Sequence, residues 1–195
     1  MLVLMGDSNF VRLNNECPIP DSLCLAQNEA SVTFLPTNPF MYDIIHSNYF
    51  NVNPNVNHKN DVLCLLAGTN DFMKGVNVDG LKQSHKKLVK YCSRRFKHII
   101  LCQIPPIPKL PVDVNETIRL FNLWLVDVYS QNPLVTVVQS FHPFIAPDHP
   151  HPYPLVRFYE MTYPSSHSTD LIHLNKDGLL ILRNIILSAV AALSV

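Results

Sequence analysis

Three short groups of residues in this chain are of types that can break acyl bonds: Gly6-Asp7-Ser8-Asn9, Gly68-Thr69-Asn70-Asp71 and Asp170-Leu171-Ile172-His173. A serine hydroxyl becomes a competent nucleophile when a base takes its proton. An imidazole, with an ordinary pKa of about 6.5, can do this near neutral pH, and it needs a partner on its other nitrogen to hold its orientation. Asp170 precedes His173 by three residues, so one helical turn would bring their side chains together. His167 has the same spacing from Asp170, and on the residues alone both histidines stand as candidate bases. Attack on an ester carbonyl creates an oxyanion that needs fixed donors. The backbone N–H of Ser8 and the side-chain amide of Asn70 are suitable ones.

To act together these groups must meet in space, and the apolar pattern indicates how. Apolar runs at 2–5, 30–35, 62–67, 99–104 and 134–138 read as strands. They lack strict alternation, which suits a parallel sheet covered on both faces. Between them, Leu81, His85, Leu88, Cys92 and Phe96 recur at helical spacing after Asp79, as do Ile118, Phe121, Leu125 and Val128 after Asp113. Asp113-Val114-Asn115-Glu116 has the form of a capping box, and Asn175 that of an N-cap for a last helix. Strand–helix alternation predicts an α/β doubly wound three-layer sandwich on a five-stranded parallel sheet of flavodoxin-like order, with residues 1–195 forming a single domain. In that order ligands bind beyond the carboxyl ends of strands one and three, where the strand order reverses. The first two motifs end those strands, which makes Ser8 and Asn70 neighbours. Segments 16–29 and 141–169 lack periodicity and are expected to wall the site.

Composition narrows the class. Lys plus Arg and Asp plus Glu each number 15, and 47% of residues are hydrophobic, so the chain is globular and carries no overall attraction for polyanions. The cations Lys82, Lys86, Lys87, Lys90, Arg94, Arg95 and Lys97 read as the solvated face of a helix, and no direct nucleic-acid binding is expected. Five cysteines without a C-x-x-C pair, two of them inside apolar runs, fit a reduced, cytoplasmic setting. The apolar stretch 179–195 is interrupted at Arg183-Asn184 and falls short of the roughly 20 residues of a membrane span, so it reads as a core helix.

The three motifs, in this order and at these structural points, resemble those of the SGNH (GDSL-type) hydrolases. The Pro105-Pro106 pair and Leu174-Asn175-x-x-Gly178 fit as well, and the resemblance covers essentially the whole chain. It implies a serine esterase with Ser8 as nucleophile, His173 as base and Asp170 as its partner, acting through an acyl-enzyme without cofactor or metal. It also implies an oxyanion hole of the Ser8 N–H, Asn70 and a glycine N–H after the second strand. No glycine lies between Gly6 and Gly68, so in the loop Pro36 to Tyr42 the donor expected is Phe40 or Met41; Pro36 and Pro39 have no N–H. Within the family the chain looks like the esterase domain of first-reading-frame proteins of vertebrate LINE-type retrotransposons. That likeness implies a domain cut from a longer chain, working in a nucleoprotein particle whose nucleic-acid contacts come from other segments.

Other readings compete. Ser8 can serve as a helix cap and Asn70 as a turn residue, whereas Asp7 and Asp71 read as structural groups bonding loop backbone. His142, His149, His151 and His167 lack the ligand spacing of a metal site. Phe40, Met41 and Tyr42 in the stretch Pro36 to Asn48, and Phe141, Phe144, Tyr153, Phe158 and Tyr159 in Phe141 to Ser168, the two expected pocket walls, favour a small acyl-ester or lipid-like substrate. The missing glycine motivates the alternative of a catalytically weak binding or assembly module on the same fold. A carbohydrate deacetylase is a third reading, disfavoured by the single tryptophan, Trp124.

Overall fold

The computed structural model describes residues 1–52, 58–163 and 168–193. Five strands, β1 (Leu2–Gly6), β2 (Ser22–Cys24), β3 (Val62–Leu66), β4 (His98–Cys102) and β5 (Val135–Val138), form one sheet in the order β2-β1-β3-β4-β5. Every pairing is parallel. This is the flavodoxin-like α/β arrangement, with its reversal of strand order between β1 and β3.

Parallel strands buried on both faces must be apolar at every position, and successive side chains feed opposite layers. Val3, Met5, Leu63 and Leu65 point into one core, packed under helices α4 (Val78–Ser93) and α5 (Val112–Tyr129). Leu2, Leu4, Cys64 and Leu66 point into the other, under α1 (Ser8–Glu16) and α6 (Lys176–Ala192). Two short helices, α2 (Met41–Ile45) and α3 (Thr69–Met73), complete the set. Among the described residues no helix is long and apolar enough to cross a membrane. Residues of the C-terminal run instead pack as α6, with Leu179, Leu182 and Ile186 fully buried.

The strand expected at 30–35 is not one. The second strand is Ser22–Cys24, inside a segment expected to be irregular. It is a three-residue edge strand with half-buried side chains, too short to print an apolar run. Ala30 and Val32 are buried for another reason: the carboxylate of Asp71 accepts the N–H groups of Val32 and Thr33 at 3.0 and 2.9 Å, pulling the loop onto the core. The capping box at Asp113 is also absent. Pro111 occupies the N-cap of α5 without a side-chain bond, and Glu116 instead pairs with Arg119. Asn115 faces inward, its amide bonded to the N–H and C=O of Ile107. Asn77, not Asp79, starts α4, accepting the N–H groups of Asp79 and Gly80, while Asn175 caps α6 through Gly178 as expected.

Candidate active site

The site lies where the strand order reverses, beyond the carboxyl ends of β1 and β3. Gly6 closes β1, and a Cβ there would sit 2.7 Å from the Leu66 carbonyl of β3, so only glycine lets the two strands end side by side. Asp7 then caps α1, accepting the Asn9 N–H at 2.9 Å. Ser8 becomes the first helical residue, with its own N–H free of intrahelical partners and its hydroxyl on the rim of the sheet.

His173 meets that hydroxyl from the far end of the sequence. Its Nε2 lies 2.9 Å from Ser8 Oγ, and its Nδ1 lies 2.8 Å from Asp170 Oδ2. Asp170 is fully buried, and its Oδ1 also accepts the backbone N–H groups of Ile172 and His173 at 3.0 and 3.1 Å. Leu171 holds a left-handed backbone, φ 53°, which folds the segment tightly enough for one carboxylate to bind both the backbone and the ring. The ring nitrogen facing Asp170 is thereby the protonated one, leaving Nε2 free to accept from Ser8.

A buried side chain couples the two segments. Asn9 Oδ1 accepts the Leu174 N–H at 2.9 Å, tying the first turn of α1 to the residue after His173. Sequence reasoning gave Asn9 no role, because a bond across 165 positions leaves no local pattern. Asp7 is fully buried beside the site, and burial pushes its carboxyl pKa up.

The opposite wall is the loop after β2. Asn70 follows Gly68, whose φ of 123° makes the turn from β3 into α3, and its amide donates to the Ala30 carbonyl at 2.9 Å. The second hydrogen of that amide remains for the cleft. Asn38 holds the Glu29 carbonyl at 2.7 Å, and Asp71 holds the Val32 and Thr33 N–H groups. Glu29 adopts φ 61°, a region that favours glycine, and its N–H has no acceptor among the described residues.

The cleft is about 730 Å³, within the range of small-molecule sites. Ser8, His173, Asn70, Asn28 and Glu29 line it, with Lys74, Lys109 and Tyr163 at its rim. The structure does not bring Phe40 or Met41 there. The Met41 N–H is taken by the Ser31 carbonyl at 3.0 Å, and Phe40 packs on Phe34 and Tyr42. Both residues follow the false second strand; the loop that does follow β2 holds Glu29 instead. Of the aromatic residues expected as walls, Phe141, Phe144 and Tyr159 are core residues, and Tyr42, Tyr153 and Phe158 also lie off the cleft. His167 lies outside the described residues. His149 and His151 are exposed neighbours, and no group of three metal-ligating side chains occurs among the described residues.

No protein-family model matches the sequence, and comparison with curated proteins gives no match. Solved structures do match. A GDSL-like lipase from Bacteroides thetaiotaomicron superposes with a TM-score of 0.70 at 14% identity, over 98% of this chain and 87% of that one. A member of the lipolytic G-D-S-L family from Veillonella parvula gives 0.65 at 14%, over 96% of both chains. An acetylxylan esterase from Geobacillus stearothermophilus gives 0.60 at 16%, over 96% and 92%. At such identities the likeness is one of fold, and function must be argued from the site.

Proposed function

We propose that this chain is a serine ester hydrolase acting on short acyl esters through an acyl-enzyme. The observation that carries this reading is the unbroken hydrogen-bonded chain from Ser8 Oγ through the His173 ring to the buried Asp170 carboxylate, opening on a cleft. Ser8 Oγ attacks the ester carbonyl carbon while its proton passes to His173 Nε2. The tetrahedral intermediate collapses, and His173 returns the proton to the departing alcohol. Water, deprotonated by the same nitrogen, then attacks the acyl group and frees Ser8. Asp170 stays ionised and stabilises the imidazolium.

The oxyanion is held by the Ser8 N–H, the free hydrogen of the Asn70 amide and the Glu29 N–H. Glycine suits a left-handed turn aimed at a ligand, but the donor is the backbone and not the residue type. The three clamps on loop 29–33 keep Glu29 in that conformation without glycine, which removes the motive for a catalytically inert module. The mixed lining, in which Asn28, Glu29 and Asn70 face Met73 and Ile172, favours a short acyl group over a long lipid tail. The fold shared with GDSL-type lipases and an acetylxylan esterase is compatible with this chemistry.

The test is hydrolysis of p-nitrophenyl acetate and longer esters by wild type and Ser8→Ala, with fluorophosphonate labelling mapped to a peptide. Expected are labelling at Ser8, turnover that falls with acyl length, and a loss of at least about a thousandfold in the variant. Equal rates in the two proteins, or no label at Ser8, overturn the reading.

A further inference from the structure

We infer, on the strength of the reaction proposed above, that the site takes esters whose alcohol half carries a compact anion, and that Lys109 grips that anion. The two walls of the cleft differ in charge. The wall beside Asn70 carries one charge of each sign, Glu29 and Lys74, whereas on the wall beside His173 the lining charge outside the triad is Lys109. Lys109 is exposed, yet the fold holds it from several directions. It lies in the loop from Gln103 to Pro111, where Pro105, Pro106, Pro108 and Pro111 each fix a backbone angle. The buried Asn115 amide bonds the N–H and C=O of Ile107 on one side of it, at 2.7 and 3.0 Å, and the Leu110 carbonyl on the other, at 3.1 Å. The N–H of Lys109 donates to the Leu171 carbonyl at 3.2 Å, inside the segment that carries Asp170 and His173. Its ammonium donates to the Thr169 carbonyl at 3.1 Å and lies 5.3 Å over the Tyr163 ring. That ring meets the His173 imidazole edge-on, with centroids 5.8 Å apart.

A lysine kept for solubility alone gains nothing from such restraint, because a long flexible stem loses rotamer entropy when it is held. A structural tie to Thr169 uses one donor, and an ammonium has three. Among the described residues no carboxylate pairs with Lys109. Two donors and the full charge therefore remain for a ligand in the cleft. The chemistry of ester cleavage selects which half of the ester meets them. His173 Nε2 hands its proton to the departing alcohol oxygen. That oxygen must sit against the imidazole, and its substituent then runs along the same wall, past Tyr163 to Lys109. The carbonyl oxygen points the other way, to the donors of Ser8, Asn70 and Glu29. The zero net charge of the chain exerts no general pull on anions, so the preference is local to this wall.

The test compares 3-acetoxybenzoate and 4-acetoxybenzoate with their neutral methyl esters, each kcat/KM divided by the rate of alkaline hydrolysis of the same ester. The proteins are wild type, Lys109→Met, Lys109→Glu, Lys109→Arg and Lys74→Gln, with Ser8→Ala as the blank. Expected in wild type is a preference of about fivefold for the anion in at least one isomer, carried by KM, as one ion pair at a half-open site can give. It should shrink as salt rises from about 50 to 500 mM. The ratio of anionic to neutral ester should fall to about one in Lys109→Met and below one in Lys109→Glu, and should survive in Lys109→Arg and Lys74→Gln. A wild-type ratio of one or less overturns the proposal, as does a ratio that Lys109→Met leaves intact or that Lys74→Gln abolishes. In each of these cases Ser8-dependent turnover of the methyl esters leaves the esterase reading standing. Hydrolysis of all four esters at the Ser8→Ala rate removes both.

Discussion

Asp170 does three things with one carboxylate: it fixes the His173 tautomer, bonds two backbone N–H groups and supplies a buried negative charge. Asp170→Asn keeps the size of the group but can present an N–H to the ring where an acceptor is needed. Turnover should drop about ten-thousandfold with little change in KM, as steady-state kinetics on a short ester would reveal. The oxyanion donors separate by residue in the same assay. Asn70→Ala should lower kcat about a hundred- to a thousandfold. Glu29→Gly keeps the N–H and accommodates φ 61°, so its kcat should stay within a few-fold of wild type. A collapse of activity in Glu29→Gly would exclude backbone donation as the whole role of this position. These contrasts show what could be read from residue types. Ser8, Asn70 and Asp170 carry side-chain chemistry and stand out as candidates by residue type, whereas His173 is separated from His167 only by the family resemblance. A donor supplied by Glu29 leaves no signature, since any residue but proline offers an N–H.

At the scale of elements, the legible parts were those whose pattern repeats over several residues. Strands β1, β3, β4 and β5 and the buried faces of α4, α5 and α6 follow from apolar spacing. Strand β2 did not, because three half-buried residues at a sheet edge carry too little hydrophobic information. The run 30–35 is apolar like a strand but joins no sheet: the Asp71 carboxylate takes the Val32 and Thr33 N–H groups, and Ser31 forms only an isolated bridge with the loop at Phe40. Removing that side chain tests the account. Asp71→Ala leaves the Val32 and Thr33 N–H groups without acceptors and should cost about 2–4 kcal/mol, at about 1–3 kcal/mol for each stranded group before partial rehydration. The denaturant midpoint measures it. Asn9→Ala removes the side-chain acceptor that ties α1 to the Leu174 N–H. It should cost about 1–3 kcal/mol and lower kcat more than it raises KM, because the two halves of the nucleophile–base pair are then held together less directly, by packing and by Arg12 of α1 through Glu160, whose N–H bonds the His173 carbonyl. A change in stability with kcat intact would reduce Asn9 to a core residue.

Across the whole molecule the site occupies one rim of the sheet, while the layer between α4 and α5 holds a group whose charge state the fold must suppress. His85 is buried against Phe121, Trp124 and Tyr129, and its Nδ1 has no hydrogen-bond partner among the described residues. Burial alone drives its pKa down from 6.5 to about 4. The unfolded chain therefore binds a proton on this ring between those two values and the folded chain does not, so stability rises with pH across that window. The contribution is complete above about pH 6.5 and is lost as pH falls towards 4, for a total of about 3 kcal/mol. Thermal unfolding of wild type from pH 7 to 4 should show this decline on top of that from the carboxylates. His85→Leu removes the titrating group with similar volume, so the difference in stability between variant and wild type should widen in the variant's favour by about 3 kcal/mol on acidification. Parallel pH curves for the two proteins would mean that His85 is charged, or hydrated, inside the fold. The cleft residues are on other elements, so hydrolysis per folded molecule at pH 7 should be the same in both.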